Sequence, residues 1–252
     1  MNVLRSEWTK LRTQPSAAWA LIATIAAIVG FGLLYSLVRE TRPPQGAALA
    51  GFDPTAISLA GVNLAQLAIV VLGVLLVSNE YATGMIRSTL AAVPGRLPVL
   101  WGKATVILLT TVVVCVPATF AAFLVGQSIL ARQHLDIALG APGVTRAVIG
   151  SALYLGAVGM LGLGLGTVIR STAGAVGTLI GALFGLQLLV ALVPASMSDH
   201  IYPYLPAPAG LAVTEVQPDS SALSPWVGLG VFCAYAVVVL ALGAYRLRRR
   251  DA

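Results

Sequence analysis

Six apolar runs divide the chain, at about Ala17–Val38, Ile57–Val77, Ala104–Leu130, Ala147–Ile169, Ala173–Val193 and Trp226–Tyr245. None holds Asp, Glu, Lys, Arg or His away from its ends. A helix rises about 1.5 Å per residue and the hydrocarbon layer is about 30 Å thick, so runs of roughly 20 residues suffice to cross it. The pattern predicts an all-α fold: one transmembrane domain over residues 1–252 with six spanning helices. The first run is too long for the core of a signal peptide and reads as a retained anchor.

Composition agrees. Hydrophobic residues make up 58% of the chain and charged residues 10%, with a mean hydropathy of +0.92. Soluble domains carry about 25% charged residues. The net charge of +6 could suggest a nucleic-acid partner, but the distribution of the charges argues for topology instead. With the N-terminus inside, the inner segments hold Arg5, Lys10, Arg12, Arg87, Arg96, Lys103, Arg170, Arg246, Arg248, Arg249 and Arg250. The outer loops hold only Arg39, Arg42, Arg132 and Arg146. This bias predicts a multi-pass membrane protein with both termini cytoplasmic, and no nucleic-acid partner.

Two polar segments on the expected inner side have their own pattern. In residues 1–16, Leu4, Trp8 and Leu11 fall at i, i+4 and i+7, with Arg5, Lys10 and Arg12 off that stripe. This predicts a short helix lying in the membrane interface; a plain basic flank is the simpler alternative. Residues 78–103 form the second segment. On the outer side, residues 194–225 carry Pro194, Pro203, Pro206, Pro208, Pro218 and Pro225 among Ile201, Tyr202, Tyr204, Leu205 and Leu211. That is either a packed, partly re-entrant cap or a proline-rich surface loop.

Chemistry-bearing motifs are sparse. The sequence around Gly102-Lys103-Ala104 lacks both the earlier glycine and the hydroxyl of a phosphate-binding loop. His134 and His200 are isolated, and Cys115 and Cys233 sit in apolar runs without ligand spacing. No catalytic or metal-binding residue is expected. No Asp, Glu or His sits within the spans to relay protons. Asn63 and Gln66 in the second span and Gln187 in the fifth are candidate pathway-lining residues, though interhelical hydrogen bonding explains them more simply. Gly162 and Gly166 in the fourth span, and Gly177, Gly181 and Gly185 in the fifth, have the spacing that lets helices approach closely.

The segment "NEYATGMIRSTLAAVPGR", residues 79–96, is too polar to span and longer than a tight connection needs. Asn79 is expected to cap a helix with Glu80 in its first turn. Met85, Ile86, Thr89 and Leu90 offer an apolar strip, Arg87 a fork for a carboxylate, and Pro94-Gly95 a stop. The pattern reads as a docking element on the inner side.

Three pieces carry a family resemblance: "SEWTKLRT" at 6–13, "NEYATGMIRSTLAAVPGR" at 79–96 and "YLPAPAG" at 204–210. At these positions in a six-span chain they resemble permease subunits of type-2 ABC exporters, of the kind widespread in Gram-positive and especially actinobacterial genomes. The resemblance implies a half-transporter, with no cofactor in this chain. A second permease copy, identical or paralogous, and separate cytoplasmic ABC ATPase subunits that bind ATP and Mg would complete it in the lipid bilayer. Residues 79–96 would be the coupling helix, with Glu80, Tyr81, Thr83, Gly84, Arg87 and Thr89 contacting the ATPase. The N-terminal helix would be the connecting helix. A hydrophobic or amphipathic drug, antibiotic, peptide or lipid would be exported. A non-transporting membrane scaffold or sensor that recruits a cytoplasmic partner is the alternative.

Overall fold

A computed structural model of the chain describes residues 3–44, 51–85, 96–217 and 222–249. Among the described residues it is all-helical, and six helices are long and apolar enough to cross a membrane. They are Pro15–Thr41, Val62–Ala82, Leu97–Gln133, Val144–Ile169, Thr172–Val190 and Pro225–Arg248. This is the build of a multi-pass membrane protein.

The ends of these helices differ from the apolar runs for local reasons. Ile57 and Ser58 belong to a separate short helix, Pro54–Ser58, not to the second span. Asp53 caps it by accepting from the amides of Thr55 and Ala56, and Pro54 stands in the first turn, where its missing N–H is no loss. At its other end the second span runs on through Ala82. Asn79 and Glu80 therefore lie in the last turn of that span; the expectation that Asn79 caps a new helix is corrected. Thr83 is the C-cap of the span, and Gly84 just beyond has a φ of +71°, which suits a glycine after a helix terminus. The third helix starts at Arg96 rather than Ala104, because Leu97, Val99, Leu100 and Trp101 extend its apolar pattern.

The fourth span is the axis of the molecule. Of its most apolar stretch, 72% is buried inside the protein, against 61% for the second span, 22% for the first and 17% for the fifth. Glycines make this density possible. A Cβ on Gly73 of the second span would overlap the carbonyl oxygen of Gly159, and one on Gly61 would overlap the backbone at Ala27 and Ile28 of the first. Gly162 and Gly166 of the fourth span lie against the backbone at Val70 and Val74. That glycine pair therefore serves packing within the chain. Gly177, Gly181 and Gly185 instead meet nothing within 4 Å. The fifth span also contains one wide turn at Gly181–Gly185.

At the end opposite the N-terminal helix, residues 195–214 fold into short helical turns. Ala207, Ala209, Gly210, Ala212 and Val213 are buried. Gly210 sits against the Tyr154 ring, which meets Phe232 at 5.1 Å between centroids. Gln127 binds the same end together: its Nε2 donates to Pro54 O and Ser58 Oγ, while its Oε1 accepts from Ile137 N. Gln127 was not singled out by its sequence setting.

Candidate functional site

The N-terminal helix, Val3–Thr13, lies across the ends of the second and third spans. Leu4 and Trp8 are half exposed, at 50% and 49%. Leu11 is buried against the protein core and does not extend the outward stripe, which corrects that part of the expected face. The inward face also carries Glu7, only 1% exposed. Val3 leans on Gly102, where the absence of a side chain lets the two helices approach.

Four charged side chains meet under this helix. Lys103 Nζ donates to Glu7 Oε2 at 2.6 Å, to Glu80 Oε1 at 2.8 Å and to the carbonyl of Leu76 at 3.1 Å. Lys10 Nζ lies 2.8 Å from both Glu7 Oε1 and Glu80 Oε1. Two acids and two bases balance in charge, as buried ions must. Burial would lower the Lys10 pKa, but its bonds to Glu7 and Glu80 and their charges outweigh this and hold it above the ordinary value of 10.5. The resulting stability is fully present below the unfolded value and is lost only as pH rises through the higher folded one. Lys10 therefore stays charged at neutral pH. A cavity of about 460 Å³ opens beside it, lined in part by Gln14, Asn79, Thr83 and Met85.

The candidate coupling residues separate into three groups. Glu80 is 3% exposed and bonded to lysines of its own chain, so its side chain acts inside the protein rather than on a partner's surface. Tyr81 is half-buried, with the Arg170 guanidinium 5.1 Å from its ring centroid. Thr83 and Gly84 are exposed, and the Thr83 hydroxyl donates to Asn79 O. Arg87 and Thr89 lie outside the described residues.

The same end gathers the other spans. Thr172 donates to Ser78 Oγ at 2.8 Å, joining the fifth span to the second. Arg246 donates to Val168 O at 2.7 Å, joining the sixth to the fourth. The sequence pattern does not by itself mark Glu7 and Lys103 as site residues. The available signal was an acid inside a basic segment and a lysine at the edge of an apolar run, on segments expected to share one side of the membrane.

The three candidate pathway residues are not brought together. Gln66 is fully buried, accepts from the Tyr154 hydroxyl and donates to Asn63 O at 3.0 Å. The Tyr154 bond is interhelical, between the second and fourth spans. The Asn63 side chain is exposed. Gln187 donates to Leu183 O and lines a cavity of about 220 Å³ with Tyr202, Pro208, Leu211 and Glu215.

Neither a model of a known protein family nor a curated protein matches the chain.

Proposed function

We propose that this chain is the membrane-embedded permease of an ATP-driven exporter, energised by a separate ATPase chain. The observation that supports it best is the buried ion network, which makes the N-terminal helix, the end of the second span and the start of the third one mechanical unit. The polar segment 83–95 is tethered at both ends to that unit. A force applied there passes through a bonded connection into two spans. Glu80 and Tyr81 would transmit within the chain, and Thr83, Gly84, Arg87 and Thr89 would meet the ATPase.

The sparse polarity of the spans suits a hydrophobic or amphipathic cargo. The lightly buried first and fifth spans leave apolar faces for a second permease copy, and substrate would pass along the interface between copies. The location would be the plasma membrane, with both termini in the cytoplasm. ATP and Mg would be bound by the partner.

The test is ATP hydrolysis by the reconstituted complex. Arg87→Glu is expected to reduce stimulation of the ATPase by the permease at least tenfold while leaving thermal unfolding unchanged. Unchanged stimulation would remove Arg87 from the docking contact. A complex whose hydrolysis responds to no transported substrate would favour the scaffold or sensor.

A further inference from the structure

An apolar groove of about 370 Å³ lies on the side of the molecule, between the start of the third span and the end of the sixth. Leu97, Leu100 and Trp101 form one wall, and Met160 of the fourth span contributes to its lining. The other wall is one stripe of the sixth span: Val237, Leu240, Ala241, Ala244, Tyr245 and Arg248. Its polarity is graded. The lining is apolar until its end, where Arg248 supplies a cation. Arg248 is exposed and makes no ion pair among the described residues.

The groove lies at a definite depth. Trp101 is two residues from Lys103 of the ion network. Tyr245 adjoins Arg246, which is tied to the end of the fourth span. Trp101 and Tyr245 are both more than half exposed, as expected of aromatic side chains at a membrane–water boundary. From Arg248 to Val237 the sixth span rises roughly 16 Å, about half the hydrocarbon thickness. The groove thus has the reach of one acyl chain in one leaflet, with an arginine where a headgroup phosphate would stand.

We infer that this groove is a binding site for an anionic glycerophospholipid. One acyl chain lies along Leu240, Ala241 and Met160, and the headgroup phosphate accepts hydrogen bonds from the Arg248 guanidinium. The small side chains of Ala241 and Ala244 leave the room that the chain fills. Arginine suits the phosphate because its planar fork gives two parallel donors. The inference does not depend on the exporter reading; it requires only that the spans lie in a bilayer.

The site is tested by fluorescence quenching of the full chain in vesicles. Trp8, Trp19 and Trp226 are exposed and are replaced by Phe, leaving Trp101 as the only tryptophan. Dibrominated phosphatidylglycerol and dibrominated phosphatidylcholine are titrated separately into unbrominated phosphatidylcholine. Half-maximal quenching is expected at about fivefold less phosphatidylglycerol, the scale of one arginine near an anionic surface. Arg248→Gln should abolish the preference and Arg248→Lys should retain most of it. Ala241→Phe, which fills the groove, should weaken quenching by both lipids. Arg12→Gln, an equal loss of charge on the N-terminal helix, should leave the preference intact. Equal quenching by the two lipids would overturn the site, as would a preference that survives Arg248→Gln or falls equally with Arg12→Gln. A Trp101 that neither lipid quenches would place protein in the groove and overturn it too.

Discussion

Replacing Lys103 by methionine will unfasten the N-terminal helix and lower the stability of the whole protein by about 3–5 kcal/mol, the usual result of removing one partner from a buried ion pair. Lys103 is 3% exposed and is the cation shared by two buried carboxylates. Without it Glu7 and Glu80 face each other with only Lys10 between them, and Lys10 is the most solvent-exposed member of the group. Glu80 is already poorly satisfied, since its Oε2 has no hydrogen-bond partner among the described residues. Its one remaining partner among the described residues is the partly exposed Lys10. Two readouts check this in detergent: the thermal unfolding midpoint, and the rate at which trypsin cuts at Arg5, Lys10 and Arg12. Both should move together. Glu80→Gln added to Lys103→Met should recover part of the loss, because it removes one of the two stranded charges. Glu7→Gln alone should be milder, because Lys103 keeps Glu80. An unchanged midpoint in Lys103→Met would show that the network is not structural.

The second large effect concerns glycines that belong to no motif. Gly73→Ala places a methyl group on the carbonyl of Gly159, and backbone in the most buried span cannot swing aside as a side chain would. Spans two and four must separate, with a loss of about 1–3 kcal/mol, as is typical when a well-packed core is overfilled. Gly61→Ala should behave alike against the first span. By contrast Gly177→Ala, Gly181→Ala and Gly185→Ala meet open space. They should leave the isolated chain as stable as before or slightly more so, because alanine favours the helix. Any loss they cause should appear only in association between copies. Thermal unfolding of the five variants side by side separates the two classes. Equal destabilisation by Gly73→Ala and Gly181→Ala would refute this assignment of the packing.

These cases show what the sequence reveals and where it stops. Six spans are legible because hydropathy and helix length are summed properties of many residues. Their ends are less legible. Apolarity stops at Val77, but the helix runs on because the end of the span offers partners to Ser78, Glu80 and Tyr81: Thr172, Lys10, Lys103 and Arg170. Spacing alone identifies Gly162 with Gly166, and Gly177 with Gly181 and Gly185. It cannot tell that the first pair faces a neighbour and the other three do not. Gly73 and Gly61 stand alone in sequence and become important only through the helix opposite. The ion network is hidden for a related reason. Counting Lys10 and Lys103 by side of the membrane uses their charge for topology and ignores the acids that could pair with them. Glu7 and Lys103 are far apart in the chain, and only the docking of the N-terminal helix brings them to 2.6 Å.

The proposed coupling to an ATPase is tested by affinity purification from native membranes. The tagged full chain is extracted in mild detergent and its companions are identified by mass spectrometry. A stoichiometric ATPase subunit is expected with wild-type protein, sharply reduced with Arg87→Glu and reduced with Lys103→Met. A chain that purifies without any ATPase, under conditions where other membrane complexes survive, would contradict it.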